Sequence, residues 1–433
     1  MKSCFFSAYK YLLNLYFLSF FEKYKNYVIT FGTEIFILIL SFVIFRIANE
    51  RMSDISFSEY TLSRRNISFL QPLLMIGLGV AVPRYVSIYP KRDSFLPASL
   101  ILMTIVSLLF LIGMTVGSRF FSKLFFGEVT YQSYIVPLCI LLIGYGFHAI
   151  LNGYLRGKKE VYFSNLIQLV NIGLLPISVL LFTQNVQQLL WINGAFLLIS
   201  CLIFGMYVFI KRHINTDYQS LLEDAKLMLK FGLPRILGDF ALLAMLTFPT
   251  YIVLSLQKNV VAGGDIAYSI TLLNLVGAAF GPLSLVLLPE IGGFLADKRF
   301  DLIKKRFYVF VFSSLLLTLI GYLTFYFFHE FILNLLLGEN HRSEIFEIAK
   351  IILLGSFGYV IYIILRSFLD AIHVKAKNAT NLIIALAIYI LMAAYGSTMN
   401  VELNTYIYYF VIALNVLGLL TFVKTYRTIK NLK

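Results

Sequence analysis

The decapeptide RFFSKLFFGE, Arg119–Glu128, returns 211 residues later as EFILNLLLGE, Glu330–Glu339. Both strings run apolar residues into a Gly-Glu pair. Other segments recur in the same order at nearly the same distance. VPRYVSIYPKR (Val82–Arg92) pairs with LPEIGGFLADKR (Leu288–Arg299), their prolines Pro83 and Pro289 lying 206 apart. SNLI (Ser164–Ile167) pairs with TNLI (Thr380–Ile383), 216 apart, and FGTEIF (Phe31–Phe36) more loosely with FGLPRI (Phe231–Ile236), 200 apart. One such match means little in an apolar chain. Four in one order mark an internal duplication.

What is duplicated spans a membrane. The chain is 59% hydrophobic and only 13% charged, against about 25% charged for a soluble domain. Runs of ~20 apolar residues predict twelve spans, at 27–48, 66–89, 96–117, 132–153, 162–183, 189–210, 231–256, 266–290, 307–328, 346–370, 379–397 and 405–423. The expected fold is therefore all-α and polytopic, with about twelve transmembrane helices in two pseudo-symmetric six-helix bundles. Six is even, so both halves insert the same way round, related by an axis along the membrane normal. Residues 27–210 form the expected first lobe, 211–230 a cytoplasmic linker, 231–423 the second lobe and 424–433 a basic cytoplasmic tail. Residues 1–26 are aromatic and apolar but carry Lys10 and Asn14. They are expected to lie in the cytoplasmic interface, with Lys10 reaching back to water, rather than to form a signal peptide or a thirteenth span.

Lys and Arg set the orientation. With the N-terminus inside, inner segments hold 24 of them. The outer loops hold seven: Arg51, Arg64, Arg65, Arg119, Lys123, Lys258 and Arg342. Both termini are thus expected in the cytoplasm. The net charge of +14 is a matter of topology, since no soluble basic domain exists to hold a nucleic acid. Cys4, Cys139 and Cys201 are scattered in apolar surroundings, as small packing residues would be.

The run FSEYTLSRRNISFLQPLLMIGLGVAVPRYVSIYPKRD, Phe57–Asp93, resembles the first loop and second span of polysaccharide flippases. These are the Wzx-like family of the multidrug, oligosaccharidyl-lipid and polysaccharide (MOP) exporter superfamily. YLRGKKEVYFSNLIQLVNIGLLPI (Tyr154–Ile177) is similar to their fourth loop and fifth span, FGLP (Phe231–Pro234) to the start of their seventh, and GPLSLVLLPEIGGFLADKR (Gly281–Arg299) to their eighth. The chain departs from the pattern late in span seven, where many members keep an acidic-basic pair and this sequence reads FPTYIV. The resemblance implies two bundles opening alternately to either side of a bacterial cytoplasmic (inner) membrane. They would translocate an isoprenoid-diphosphate-linked oligosaccharide such as an O-antigen unit of lipopolysaccharide. It implies that spans one, two, seven and eight line the cavity, and a polymerase and glycosyltransferases as partner machinery.

Ionisable groups within spans mark functional sites or paired contacts. Arg235 and Asp239 sit at i and i+4 on one helix face, with Pro234 expected in the first helical turn. Arg84 and Glu290 follow the matched prolines. They could close a gate across the lobes, or Arg84 could grip a diphosphate, for which the guanidinium fork is suited. The candidate cavity residues are Glu34, Gln71, Arg84, Arg235, Asp239, Asn274 and Glu290. Gln71-Pro72 and Gly281-Pro282 predict helix interruptions at matched places. Arg366 with Asp370, and Glu347 with Lys350, read as packing pairs, and His148 as a remote proton-relay candidate.

No phosphate-binding loop is present, so coupling is expected through an ion gradient (proton or sodium), the membrane potential or substrate consumption on the far side. No metal-ligand spacing occurs, and no cofactor is expected; the chain is expected to act as a monomer. Short loops leave no room for a soluble catalytic segment, so a transporter rather than an enzyme is expected. Two alternatives stay open: an ion-coupled drug or small-molecule exporter of the same superfamily, and a membrane oligosaccharide polymerase or ligase.

Overall fold

The computed structural model describes residues 29–214, 217–373, 377–399 and 401–432; the expected interfacial segment 1–26 lies outside these. Every regular element among the described residues is helical. The order is α1 (Ile29–Arg51), α2 (Asp54–Met75), α3 (Leu78–Ile88), α4 (Phe95–Val116), α5 (Ser118–Phe126), α6 (Ile135–Gly157), α7 (Val161–Gln168), α8 (Leu175–Phe182), α9 (Val186–Arg212), α10 (Tyr218–Gln257) and α11 (Val260–Ala296). Then follow α12 (Phe300–Phe327), α13 (His329–Leu337), α14 (Ser343–Ile352), α15 (Ser356–Ile372), α16 (Lys377–Met399) and α17 (Leu403–Lys430).

Among the described residues, eleven stretches are each long and apolar enough to cross a bilayer, and the pair α2–α3, bent by 50°, makes a twelfth. A six-residue π-turn, Leu169–Leu174, joins α7 to α8. Because the spans alternate in direction, the start of α1 and the end of α17 share one face, here called the termini end. The start of α2 and of α11 lie at the opposite end.

The duplication is visible in the backbone. α5 and α13 are short amphipathic helices at the opposite end, and their limits shift by the same 211 residues. Each stops on a glycine with positive φ, Gly127 at +83° and Gly338 at +87°, where a side chain would be strained.

Two spans begin well before hydropathy places them. Asp217 caps α10, its carboxylate accepting from Ser220 N–H at 3.2 Å, so the expected linker is helix from Tyr218 onward. Pro234 is consequently in the helix interior rather than its first turn, where it frees the carbonyl four residues back. Similarly Ser53 caps α2 through Ser56 N–H, which places Arg64 and Arg65 inside a span rather than in an outer loop. Taking them out of the loop count widens the Lys/Arg bias.

The two expected interruptions differ. Span two breaks at Ile76 and Gly77, both left-handed, one turn after Pro72. Its partner α11 is helical without a break from Val260 to Ala296.

Candidate functional site

The bundles touch closely at the opposite end. Gly264 of α11 packs so tightly on Ser58 of α2 that a Cβ would come within 2.4 Å of the serine Cβ. Asn49 Nδ2 of α1 donates to the Leu337 carbonyl at 3.1 Å, and Tyr251 Oη to Asn66 Oδ1 at 2.8 Å. Arg342 reaches Asp54 of α2 at 3.6 Å and buried Asp265 of α11 at 3.3 Å. Arg65, 5% exposed, donates across the interface to the Ala267 carbonyl at 3.1 Å.

Toward the termini end the bundles part. A Cβ at Gly281, Gly292 or Gly293 of α11 would meet nothing within 4 Å. α10 stays attached to the first bundle there: at Gly77 a Cβ would lie 2.3 Å from Gly232 Cα. Gly77 has φ of +80° and this backbone-to-backbone approach, so two independent constraints exclude a side chain. The break of span two and the proline of α10 thus meet at one contact.

Phe231 sits beside that contact and carries two arginines. The Arg84 guanidinium, from α3, lies 4.7 Å from the ring centre, and that of Arg235, from α10, 3.7 Å. Arg235 Nη1 also donates to the Phe231 carbonyl at 3.1 Å. Both side chains are exposed, and neither makes an ion pair among the described residues. A ring face holds a guanidinium through its quadrupole without neutralising it, so both cations keep unspent donors.

The other candidates divide. Asp239, exposed and one turn beyond Arg235, has no ion pair within 4.0 Å among the described residues, though the fields of Arg366 and Arg235 act on it. Gln71 and Asn274 are half-buried. Glu34 is engaged: Arg156 donates to it at 2.8 Å and Gln168 at 3.0 Å. Glu290 pairs with Arg306 at 2.6 Å, so the gate between Glu290 and Arg84 is not formed. Both residues follow matched prolines, but Arg306, nearly two turns into α12, offers Glu290 a partner on its own side. Arg366 pairs with Asp370 at 3.6 Å and Lys350 with Glu347 at 2.5 Å. Asn171 donates to buried His148 at 3.2 Å, as in a satisfied core histidine.

Sequence reasoning missed Arg64. Its guanidinium lies 4.7 Å over Phe45 and donates to Tyr60 Oη at 3.2 Å, again with no carboxylate partner among the described residues. The available signal was Ser53 followed by an uninterrupted run free of Gly and Pro up to Gln71. No group of His, Cys, Asp and Glu among the described residues is placed to hold a metal.

This layout has relatives among solved structures. An inward-facing multidrug resistance MATE family transporter of the MOP superfamily superposes with a TM-score of 0.76 at 14% identity, covering 92% of this chain and 94% of that one. The chain has the MATE fold. The outward-facing form of a MATE family transporter gives a TM-score of 0.60 at 15% identity, over 90% and 96% of the two chains. A MOP superfamily transporter from Pyrococcus furiosus, described as having a binding pocket of reverse polarity that suggests a different function, gives 0.63 at 14% identity over 93% and 94%. No family model and no curated protein matches the sequence. The higher score with the inward-facing form accords with a MATE fold whose bundles touch at one end and part at the other.

Proposed function

We propose that the chain is an alternating-access transporter that carries an anionic, lipid-linked substrate across a bacterial cytoplasmic membrane, an isoprenoid-diphosphate-linked oligosaccharide being the substrate class. The observation that carries this reading is the pair Arg84 and Arg235, brought from two different spans onto one ring with no ion pair to either among the described residues. A diphosphate offers oxygens to two guanidinium forks at once. The bent span two and the proline of α10, meeting at Gly77 and Gly232, supply the hinge beside which the headgroup binds. The parted termini end is the cytoplasmic side by the Lys/Arg rule, which is where such a lipid is assembled and would enter. Arg64, deeper and against Phe45 and Tyr60, would receive the anion as it moves outward.

A second reading rests on Asp239. An exposed carboxylate without an ion pair is what an exporter of cationic drugs would use, and a proton or sodium ion could take that place during coupling. Two arginines beside Phe231, Arg84 and Arg235, stand against that one carboxylate, which favours the anion.

The test is genetic. Deleting the gene is expected to leave lipid-linked oligosaccharide accumulating on the cytoplasmic face, restored by the wild-type chain. Oligosaccharide that still reaches the outside in the deletion strain overturns the assignment.

A further inference from the structure

A second basic site lies outside the space between the bundles. At the termini end, the last residues of α15, the start of α16 and the end of α17 enclose a groove of about 770 Å³. Its apolar wall includes Ile372, Leu419 and Val423, and Leu419 is 61% exposed on the outer surface of α17, so the wall continues onto the face that meets lipid tails. Its polar mouth holds His373, Lys377, Lys424 and Arg427.

These groups are organised around one another without an acid. Lys424 Nζ donates to the Lys377 carbonyl at 2.9 Å and to buried Asn381 Oδ1 at 3.2 Å. Lys377 Nζ donates to His373 Nε2 at 3.0 Å, and Thr428 Oγ1 lies 3.3 Å from the same nitrogen. No ion pair involves Lys377, Lys424 or Arg427 among the described residues. Burial, then the charges of Lys377 and Lys424, push the His373 imidazole below its ordinary value, so the histidine stays neutral as an acceptor.

We infer that this groove binds an anionic phospholipid, its headgroup phosphate on Lys377, Lys424 and Arg427 and an acyl chain along Leu419 and Val423. Three cations beside an apolar wall at a bilayer interface match that one chemistry: a free phosphate has no use for the wall, and a zwitterionic lipid little for the charge. Occupancy would neutralise the cluster and brace the ends of α15, α16 and α17 together. The inference does not depend on the substrate assigned to the space between the bundles.

The experiment measures equilibrium binding of short-chain phosphatidylglycerol, below its micelle concentration, to the full-length chain in detergent. Saturable binding is expected, at least tenfold tighter than that of the matching phosphatidylcholine and not displaced by equimolar inorganic phosphate. Arg427→Gln, whose side chain makes no hydrogen bond among the described residues, is expected to weaken it about fivefold, and Lys377→Gln with Arg427→Gln about twenty-five-fold, at roughly a factor of five per charge. Arg235→Ala leaves it unchanged. Equal binding of phosphatidylcholine, displacement by inorganic phosphate, unchanged affinity in both groove variants, or loss in Arg235→Ala would each overturn the inference.

Discussion

The two ends of the interface between the bundles are built differently. At the end opposite the termini the contact is made of close approaches and polar links that are buried or partly buried: Gly264 on Ser58, Asn49 on the Leu337 carbonyl, Arg65 on the Ala267 carbonyl. At the termini end Gly281, Gly292 and Gly293 of α11 face open space, while α10 remains packed on the first bundle. There Ser94 Oγ donates to fully buried Asp224 at 2.5 Å, and Arg92 pairs with the same carboxylate at 2.9 Å. The lesson is that α10 belongs mechanically to both bundles. A closure of the termini end would have to move α11 and its neighbours while Gly77 and Gly232 stay in contact.

The sharpest way to break this contrast is to add bulk at each end. Gly264→Val should prop the sealed end apart, raising labelling of an Ala267→Cys reporter by an impermeant thiol reagent at least tenfold, a population shift of about 1.4 kcal/mol or more. Gly281→Val, facing open space, should leave that labelling unchanged. Equal effects of the two would mean the ends do not differ.

Arg65 comes next. Arg65→Met removes the cross-bundle bond to Ala267 and should cost about 1 to 2 kcal/mol in thermal unfolding of the detergent-solubilised chain. Arg65→Lys should recover part of it. An unchanged Tm in Arg65→Met would show that the buried guanidinium does not hold the sealed end.

A smaller effect belongs to the termini end. Asp93, between α3 and α4, is partly buried, which alone would raise its pKa. Hydrogen bonds from Lys158 and Tyr154, and the charges of Lys158 and Arg212, outweigh that and hold the carboxyl below its ordinary value. A depressed carboxylate contributes stability that is present above its unfolded pKa of about 3.9 and is lost as pH falls through the lower folded value. Asp93→Asn should therefore unfold more easily than wild type at neutral pH, by about 1 kcal/mol after screening by water. The difference should be flat down to about pH 4 and vanish below it. A difference that instead grew on acidification would contradict the ion-pair account.

These contrasts also mark where sequence alone runs out. Twelve spans and the doubled architecture were legible because hydropathy and the recurring Gly-Glu strings are local signals. Helix starts were not, since the caps Ser53 and Asp217 precede polar stretches, with Asp54 after the first and Glu223, Asp224 and Lys226 after the second, that lower the local hydropathy. Arg64 and Arg65 were read as loop for that reason. The duplication left two roles open for Arg84, a gate with Glu290 or a grip on a diphosphate, and symmetry of position does not choose between them; here Glu290 is paired with Arg306. Sequence could name Arg84 and Arg235 but not that Phe231 would gather them, which depends on the left-handed turn at Ile76–Gly77 packing onto Gly232.

The central claim is that those two arginines receive a diphosphate. Its most direct test is the rate at which a fluorescent isoprenyl-diphosphate oligosaccharide crosses the bilayer of vesicles containing the purified chain, read by quenching with an impermeant reductant. Wild-type vesicles should move it. Arg84→Ala with Arg235→Ala, still folded by thermal unfolding, should lose at least tenfold in rate, about 1.4 kcal/mol of binding to the anion. A double variant that transports at the full rate would contradict the account.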